Sequence, residues 1–509
     1  MLSVFSVSRN SYAVTCLVTQ VRNKVHWAKA KRKTSAKYKA MNHFDDFYGS
    51  VFGDQWPPMR EALVRKSKYV AVVNNYGNPE KTIEFLTKKG AHCLKNLLSV
   101  QNQFHNEYTP EKKIEVKENQ NISDTKIEEY AEKLQSDIIE KLYPQGKPSP
   151  DRLDFTDDGE KAAVKKVKDM TTHKTLDESL SEAVFDQSRI VDPAMGLTSE
   201  ALYQYIPATK LKGMDDWIPE SIHYSSMTKD KDFPLLIEPE TTLKYPEHLK
   251  VYTYEMGSEW STFPEPKRCN TGVYNYYPMD GGSVVTVLAL DVQGGDRVLD
   301  LCSAPGGKSL VALQTLLPDL VVCNDISISR GNRTRRVFCD YLFDFETSNK
   351  WRERVILNNV DGREFTDDEG FDKVLVDVPC TTDRHSVNED DNNMFRADRI
   401  RERLRIQELQ AQLLINGLRL VKVGGTIVYS TCSLSPIQND GVVHSALKQA
   451  FENYNIIATV KDLTPAMAGF SSTLLLGSGS CAPKYGQLIL PSIEANFGPT
   501  YFAKMVRVK

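Results

Sequence analysis

At 509 residues, with 40% apolar and 26% charged side chains, the chain is long enough for two or three domains of ordinary soluble composition. It contains no run of about 18 apolar residues, which argues against a membrane-spanning helix. The nine cysteines include no C-x-x-C pair and the nine histidines no H-x-x-x-H spacing, so neither a disulfide framework nor a metal site is indicated.

The formal net charge of −3 hides an uneven distribution along the chain. Residues 1–44 hold nine Lys and Arg and no Asp or Glu, which leaves 55 basic against 67 acidic residues, or −12, for the rest. Residues 1–38 combine Ser and Arg with short apolar pieces and no acid, a pattern that predicts a mitochondrial targeting leader. A basic nucleic-acid arm or a nuclear signal has a similar composition.

Two regions follow the leader. Residues 39–105 are rich in aromatic side chains and place Pro57 and Pro58 where a helix begins, which predicts a small helical module. Residues 106–245 are dominated by Lys, Glu, Asp, Ser, Thr and Pro. Such low hydrophobicity does not offset the entropy of ordering, so this insert is predicted to be largely disordered.

Residues 246–509 alternate short β-branched runs with helical stretches, which predicts a doubly wound α/β domain with a mostly parallel sheet. The predicted parallel strands are 296–302, 320–325, 354–361, 371–380 and 424–433. Two later runs, NIIATVK and YFAKMVRV, suit an antiparallel edge hairpin and bring the sheet to seven strands.

The first three strands end in groups suited to a nucleoside-containing cofactor, because ligands bind beyond the carboxyl ends of such strands. Gly306 and Gly307 permit a tight strand-to-helix turn and close backbone approach, and the helix start offers free N–H groups. Asp325 lies 18 residues after Gly307, the spacing at which an acid meets a ribose hydroxyl in dinucleotide folds. Asp361, followed by Gly362, is placed to edge an adenine ring. In the alternative interpretation, both acids only cap turns.

The next two strands end in cysteines, Cys380 in VPC and Cys432 in STC. A cysteine at a strand end is more often a small buried apolar residue, and Cys302, Cys323 and Cys339 are interpreted that way. The flanking Asp-x-Pro and Ser-Thr/Ser contexts favour a chemical role for Cys380 and Cys432.

The segments DLCSAPGGKS, NDISISR, VDGR, LVDVPCTTDRHS and VYSTCSLSPIQND resemble the S-adenosylmethionine-dependent RNA cytosine-C5 methyltransferases of the Nol/Nop/Sun family. The likeness covers about residues 246–509 and implies a Rossmann-like fold. The two cysteine motifs are its most specific part, since DNA cytosine-C5 methyltransferases rely on a Pro-Cys alone. FDDFYGSVFGDQWPPMR, YYPMDGGSVV and ANFGPTYFAKM look most like the mitochondrial ribosomal-RNA member, although the insert at 106–245 is longer than expected for it.

The resemblance implies roles that the residues alone do not assign. Cys432 would be the thiolate that adds to C6 of cytosine, and Cys380 would assist resolution of the adduct. Asp377 would hydrogen-bond the N3/N4 edge of the base. The roles of Lys308 and His385 stay open, His385 being a possible general base. The cofactor contacts implied are Ala304, Pro305, Gly306, Gly307, Lys308, Ser309, Leu310, Asp325, Arg330, Asp361, Gly362 and Asp377.

The sequence also bears on RNA binding. A helix with Arg396, Arg399, Arg401, Arg403 and Arg405 either presents a solvated basic face or steers phosphates toward the site. With −12 outside residues 1–44, the chain lacks the broad basic field of an autonomous RNA binder, which predicts a partner that supplies part of the RNA binding. The resemblance implies a helical-repeat partner of the mitochondrial termination-factor type and, as substrate, ribosomal RNA of the small subunit in the mitochondrial matrix. The alternatives are a mitochondrial tRNA methyltransferase and a ribosome-assembly scaffold whose catalysis is dispensable.

Overall fold

The computed structural model describes residues 35–108, 233–258 and 263–509, which belong to one compact unit. Residues 1–34 of the predicted leader and 109–232 of the predicted disordered insert lie outside the described residues. The helices are α1 (Ala36–Phe52), α2 (Trp56–Val64), α3 (Pro79–Lys88), α4 (Leu94–Tyr108), α5 (Gly281–Ala289), α6 (Gly307–Gln314), α7 (Ile328–Tyr341), α8 (Asn349–Arg354), α9 (Asp383–Asn388), α10 (Ile400–Leu404), α11 (Ile406–Leu420), α12 (Val442–Tyr454) and α13 (Thr464–Met467).

The strands form two sheets. They are β1 (Val70–Val73), β2 (His92–Cys93), β3 (Leu236–Pro239), β4 (Val251–Thr253), β5 (Tyr276–Met279), β6 (Arg297–Asp300), β7 (Leu320–Asn324), β8 (Val355–Asn358), β9 (Phe371–Asp377), β10 (Val421–Thr431), β11 (Ala458–Asp462), β12 (Gln487–Ile489) and β13 (Thr500–Arg507). The five predicted parallel strands, now β6 to β10, are confirmed, each end lying within three residues of its prediction.

The large sheet has the order β3-β11-β13-β10-β9-β6-β7-β8, with β12 paired to β13. Strands β10, β9, β6, β7 and β8 run parallel to their neighbours in that order, so their carboxyl ends meet at one edge. The doubly wound α/β class is therefore confirmed. Within the described residues the sheet has nine strands, not the predicted seven, because β3 and β12 add to it.

The antiparallel pairing of β11 with β13 is confirmed, but its predicted place at the edge is wrong. β13 lies between β10 and β11 and is antiparallel to both. The outer side of β11 pairs with β3. Without β3, the backbone N–H and C=O groups on that side of β11 would have no partner in the sheet. β3 lies inside 106–245, so the end of that predicted disordered insert is part of the sheet.

The N-terminal module is not purely helical, which corrects the prediction for 39–105. It contains β1, whose four apolar residues are all buried, and β2. These pair with β4 and β5 in an antiparallel sheet of order β2-β4-β1-β5. The module thus shares a sheet with residues beyond 246 and does not form a separate hydrophobic unit.

Helices α1 and α2 pack through a stripe of buried residues spaced by four, consisting of Ala40, Phe44, Tyr48, Phe52 and Trp56. Such spacing places the side chains on one helical face. The stripe belongs to the same apolar cluster as α11 and the inner residues of β9 and β10. It therefore brings the N-terminal helices against the half of the sheet that carries the two cysteine motifs. Within the described parts of the chain, no helix is long and apolar enough to span a bilayer.

Candidate active site

The sulfurs of Cys380 and Cys432 lie side by side at the carboxyl edge of the sheet. Cys380 follows β9, Cys432 follows β10, and the two strands are parallel neighbours. The Sγ atoms are 2.9 Å apart, and the backbone N–H of Cys432 donates to Sγ of Cys380 at 3.3 Å. Cys380 is 4% exposed, whereas Cys432 is exposed. Both cysteines are free thiols, and Cys432 is the more exposed residue of the two.

The thiol of Cys432 is held in its neutral form. Its contact with the Cys380 sulfur is the main cause that raises its pKa well above the ordinary value, followed by desolvation and by the charges of Cys380 and Asp377. The cation of Lys308 acts in the opposite direction. A nucleophilic role therefore requires a positive charge close to the sulfur, since the thiolate is the reactive form.

Lys308 and Asp377 form a salt bridge beside the sulfurs, with Lys308 Nζ 2.6 Å from Asp377 Oδ2. The hydroxyl of Ser430 donates to Asp377 Oδ1 at 2.7 Å, so both carboxylate oxygens have partners. Burial lowers the pKa of Lys308, but the Asp377 charge and hydrogen bond outweigh burial and raise it overall. The side chains of Lys308 and Asp377 are 13% and 32% exposed, so the pair keeps a face open to a ligand.

The glycine turn connects β6 to α6. Gly306 has φ of 100°, in the region that favours glycine, and a Cβ there would lie 2.8 Å from Cγ2 of Thr334. A Cβ on Gly307 would lie 3.1 Å from the hydroxyl oxygen of Tyr277. The neighbours Ala304 and Ser309 are buried, and the carbonyl of Ala304 accepts from Arg330 Nη2 at 3.0 Å. The glycines are thus explained by the turn and by close packing around it.

Asp325 directly follows β7 and is 3% exposed. Its Oδ1 accepts from the backbone N–H of Ser327 at 2.9 Å, which is the turn-capping contact considered from the sequence. Its Oδ2 is buried, has no hydrogen-bond partner among the described residues, and lies 3.5 Å from Nη2 of Arg330. The two interpretations of this acid are compatible, because each uses a different oxygen.

Asp361 has a different environment. Arg363 donates to both of its oxygens, at 2.6 Å from Nη2 to Oδ2 and at 2.9 Å from the backbone N–H to Oδ1. These hydrogen bonds hold the pKa of Asp361 below its ordinary value despite partial burial. A Cβ on Gly362 would lie 2.8 Å from Cδ2 of Leu413, so that glycine is required by packing.

Asp300, the last residue of β6, was not selected from the sequence. It is 2% exposed and accepts from the hydroxyl of Ser309 at 2.5 Å, and its Oδ1 has no hydrogen-bond partner within the residues that the structure describes. Burial raises its pKa to about 7, with the Ser309 hydrogen bond opposing and the Asp377 charge adding to the shift. A buried acid with a free oxygen beside the glycine turn is a candidate ligand-binding group.

Several residues near the cysteine motifs have structural partners. Arg384 donates to the carbonyl oxygens of Ala62 and Gly498 and to Oδ1 of Asn496, so it ties α9 to other segments. His385 Nε2 lies 2.8 Å from the carbonyl oxygen of Asp391 on the exposed side of α9. That contact gives no support to His385 as a general base.

The basic helix is partly neutralised within itself. Arg396 pairs with Asp398 and Arg399 with Glu402, and the guanidinium of Arg403 lies over the ring of Phe395. Arg396 is exposed, which favours the interpretation as a solvated face there, whereas Arg399 and Arg403 are half-buried.

The interpretation of the other cysteines is confirmed for Cys323, which is 2% exposed. Cys302 is partly buried against the core, but Cys339 is exposed on α7, so the expectation of burial there is wrong. No group of three or more potential ligands able to hold a metal occurs among residues 35–108, 233–258 and 263–509.

Sequence reasoning missed Asp383, Tyr48 and Ser430. Asp383 is fully buried and accepts from the hydroxyl of Tyr48 at 2.6 Å, across 335 positions of sequence. Ser430 lies two residues before Cys432 in β10, facing Asp377. Strand alternation could have indicated Ser430, and the stripe spaced by four could have placed Tyr48 in the core; no local signal joins Tyr48 to Asp383.

A family model described as 16S rRNA methyltransferase RsmB/F matches residues 287–477. The 5-cytosine rRNA methyltransferase nsun-4 of Caenorhabditis elegans is 31% identical over 494 residues, which cover 96% of each chain. The chain belongs to the Nol/Nop/Sun family. It is an S-adenosylmethionine-dependent RNA cytosine-C5 methyltransferase, and the resemblance drawn from its motifs is confirmed.

Further relatives of this methyltransferase differ in their named substrates. The 5-cytosine rRNA methyltransferase NSUN4 of Bos taurus is 44% identical over 263 residues, 51% of this chain and 67% of that protein. The mitochondrial tRNA (cytosine(34)-C(5))-methyltransferase of Mus musculus is 31% identical over 263 residues, 51% of this chain and 71% of that protein. Among solved structures, NSun6 from Pyrococcus horikoshii with SFG is 22% identical over 48% of this chain and 57% of that chain, with a TM-score of 0.37. The family assignment rests on the sequence relatives.

Proposed function

We propose that this methyltransferase modifies C5 of a cytosine in mitochondrial ribosomal RNA, through a covalent adduct between Cys432 and C6 of the base. The observation that carries the proposal is the pair of free sulfurs 2.9 Å apart beside the Lys308–Asp377 salt bridge. Carbon 5 of cytosine is a weak nucleophile, and addition of a thiolate at C6 makes it enamine-like. A pyrimidine ring that reaches the exposed Cys432 would also meet Cys380 and the salt bridge.

The roles of the two thiols follow from their exposure. Cys432 is exposed and near the Lys308 cation, so its thiolate forms the S–C6 bond. After C5 has been methylated, the C5 proton leaves to a base and the S–C6 bond breaks by β-elimination, which returns the Cys432 thiolate. Cys380, buried against the other sulfur, assists this release step.

Asp377 is the group that recognises the base. Its carboxylate accepts hydrogen bonds and is 32% exposed, which suits the N3/N4 edge of a cytosine. A hydrogen bond to N3–H of a protonated ring favours C6 addition and discriminates cytosine from uracil. Lys308 fixes the orientation of this carboxylate while its charge favours the thiolate of Cys432.

The residues at the ends of β6 and β7 fit S-adenosylmethionine. Asp325 Oδ2 and Asp300 Oδ1 are buried carboxylate oxygens that have no hydrogen-bond partner in the part of the chain that the structure describes, as ribose hydroxyl and ammonium donors require. Backbone around the Gly306–Gly307 turn and the start of α6 offers polar groups to the remainder of the molecule. When bound, S-adenosylmethionine supplies the methyl group. Further contacts proposed from the family motif are Ala304, Pro305, Lys308, Ser309, Leu310, Arg330, Asp361, Gly362 and Asp377.

Relatives named rRNA methyltransferases support ribosomal RNA as the substrate, since one of them matches 96% of the chain and another is 44% identical. The relative named for mitochondrial tRNA favours transfer RNA as a second candidate, on a match to 51% of the chain. The acid-free leader supports import into mitochondria, with the matrix as the site of action.

The proposed setting is assembly of the small mitochondrial ribosomal subunit, with a helical-repeat protein of the termination-factor type as partner. The support is the net charge of −12 outside residues 1–44, which favours shared RNA binding. A purified chain that binds ribosomal RNA with full affinity, unaided, would contradict the dependence on a partner.

The test uses the purified chain, labelled S-adenosylmethionine and transcripts of small-subunit ribosomal RNA and of tRNA. Cys432→Ala should reduce methylation by at least about a thousandfold, the scale seen when a nucleophile is removed. Cys380→Ala should still methylate once but accumulate enzyme bound covalently to RNA, visible as a shifted band on a denaturing gel. Cys339→Ser, an exposed thiol on α7, is the matched control and should behave as wild type.

Two outcomes overturn parts of the proposal. If Cys432→Ala forms the stable adduct and Cys380→Ala releases product normally, the roles of the thiols are inverted. If only the tRNA transcript is methylated, the tRNA candidate replaces ribosomal RNA. Bisulfite sequencing of organellar RNA after depletion identifies the target nucleotide, and rescue of ribosome assembly by Cys432→Ala would indicate a scaffold role.

A further inference from the structure

A buried carboxylate lies behind the two cysteines and has no part in the reaction as proposed. Asp383 is fully buried, and its side chain accepts hydrogen bonds from four donor groups. The donors are the hydroxyl of Tyr48 at 2.6 Å, the hydroxyl of Thr381 at 2.5 Å, the hydroxyl of Ser433 at 3.2 Å and the backbone N–H of Leu434 at 2.7 Å. A buried carboxylate that accepts this many hydrogen bonds restricts the position of every segment that supplies a donor.

The donors come from three separate segments of the chain. Thr381 directly follows Cys380, and Ser433 directly follows Cys432, so each cysteine is one peptide bond away from a group held by Asp383. The backbone N–H of Asp383 also donates to the carbonyl oxygen of Cys432 at 3.3 Å. The third segment is α1, which supplies the hydroxyl of Tyr48. Asp383 thus joins the two cysteine loops, residues 380–382 and 432–434, to each other and to α1.

The charge of Asp383 is compensated by hydrogen bonds alone. Among the residues that the structure describes, no lysine, arginine or histidine forms an ion pair with it. Burial raises the pKa of Asp383, while the hydrogen bonds from Thr381, Tyr48, Leu434 and Ser433 act against that shift. Hydrogen bonds to a buried charge are directional, so loss of one donor changes the position of the remaining groups as well as the energy.

We propose that Asp383 is the positioning residue that holds the sulfurs of Cys380 and Cys432 in contact, and that Tyr48 of the N-terminal helix completes its set of donors. The inference rests on the proposed roles of the two thiols. It makes α1 a structural part of the active site, although α1 lies more than 300 residues before either cysteine in the sequence.

The test compares two matched tyrosine variants. Tyr48→Phe removes one hydroxyl donor to Asp383. Tyr501→Phe is the control, because the hydroxyl of Tyr501 is equally buried and donates at 2.6 Å to Oδ1 of a different carboxylate, Asp440. The other hydrogen bonds of Asp440 come from the backbone N–H groups of Lys484 and Tyr485. Asp383→Asn, which keeps the shape and removes the charge, is the second variant.

Three measurements are made on the full chain: the melting temperature, single-turnover methylation with KM for RNA, and alkylation of Cys432 by iodoacetamide across pH 6–10, resolved by mass spectrometry. Tyr48→Phe should slow single turnover by about tenfold, the size of one lost hydrogen bond to a charged group, and leave KM within about twofold. Its alkylation profile should move to lower pH, because the contact with Cys380 is the main cause that raises the pKa of Cys432. Asp383→Asn should move the profile in the same direction, and Tyr501→Phe should do neither.

The alkylation profile separates positioning from mere stabilisation. If Tyr48→Phe lowers the melting temperature but keeps the wild-type single-turnover rate and alkylation profile, the positioning role is wrong. Should Asp383→Asn fail to fold, Tyr48→Phe still decides the question. The readout on the thiol needs no RNA: a wild-type chain that does not methylate RNA even in mitochondrial extract, combined with a shifted profile in Tyr48→Phe, would reject the proposed function and keep the positioning role.

Discussion

The two halves of the carboxyl edge of the sheet differ in how their acidic oxygens are partnered. At the ends of β9 and β10, Asp377 and Asp383 have hydrogen-bond donors on both oxygens. At the ends of β6 and β7, Asp300 and Asp325 each have one buried oxygen that accepts no hydrogen bond from the described residues, although Arg330 lies 3.5 Å from that of Asp325. Buried polar groups are rarely left unpaired, so the second half is shaped for donors that a ligand brings. The first half uses the protein's own groups to fix the geometry of the reacting sulfurs.

Lys308 lies between the two halves, and its replacement should have the largest effect among the substitutions that keep both cysteines. Lys308→Met leaves Asp377 without its counter-ion and removes the cation that opposes the raised pKa of Cys432. We expect the rate of methylation to fall by about 100- to 1000-fold, the scale for loss of a fixed charge in a reaction site. Because the thiol pKa rises further without the cation, the pH–rate profile should move to higher pH.

Lys373→Met is the matched control for that variant. Lys373 is a buried lysine near the start of β9, and its Nζ donates to the hydroxyl of Thr426 at 3.2 Å, away from the carboxyl edge. The Lys373→Met variant should keep the wild-type pH–rate profile. If the pH–rate profile of Lys308→Met is unchanged, Lys308 does not activate the thiol of Cys432.

Asp325→Ala tests the half assigned to the ligand. Loss of a hydrogen bond to a charged group is worth about 1.5–3 kcal/mol, so the Kd for S-adenosylmethionine should rise by about 10- to 100-fold. Titration calorimetry without RNA measures this directly. Asp340→Ala, which removes an acid of α7 that pairs with Arg268 on the surface, should leave the Kd unchanged. An equal loss in both variants would mean that the free oxygen of Asp325 does not mark a ligand site.

Much of the difference between the two halves of the carboxyl edge was predictable from the sequence, because the motifs at the strand ends are local. Parallel strands bring their ends to one edge, so the glycine turn, Asp325 and the two cysteines could be placed together once the strands had been identified. The sequence could not give the partners of those groups. That Arg363 takes both oxygens of Asp361 depends on side-chain directions, which no periodicity encodes.

Long-range pairing was the other part that sequence reasoning did not reach. β3 lies at the end of a region whose composition predicts disorder, yet it adds to the sheet beside β11 because its backbone groups find a partner there. β13 was expected at an edge and lies in the interior. Strand identity is a local property, whereas strand order is decided by pairing between distant segments.

Asp300→Asn should produce a smaller effect, on stability, with a sign that depends on pH. The folded pKa of Asp300 is about 7, above the ordinary value, because the side chain is buried. The folded state therefore holds this proton more tightly than the unfolded state, so the contribution of Asp300 to stability falls as the pH rises from about 4 to about 7. Asparagine does not titrate. Between pH 5 and pH 8, the stability of the variant relative to wild type should therefore increase by on the order of 2–3 kcal/mol, measured by urea unfolding.

Asp319→Asn, at an exposed position before β7, is the control for that measurement and should show no such dependence on pH. A gain that is the same at pH 5 and pH 8 would indicate a packing effect instead of relief of a buried charge.

Asp361→Ala should have the smallest effect and tests the comparison most sharply. Both oxygens of Asp361 are occupied by Arg363, and a partly exposed ion pair contributes about 0–1 kcal/mol. The Kd for S-adenosylmethionine should therefore rise by less than about fivefold, well below the loss in Asp325→Ala. Arg363→Ala frees the carboxylate: if Asp361 binds the ligand only after releasing Arg363, this variant should bind more tightly than wild type. If Asp361→Ala raises the Kd as much as Asp325→Ala does, Asp361 exchanges Arg363 for the ligand. Unpartnered carboxylate oxygens would then not distinguish the ligand half of the edge from the half that holds the sulfurs.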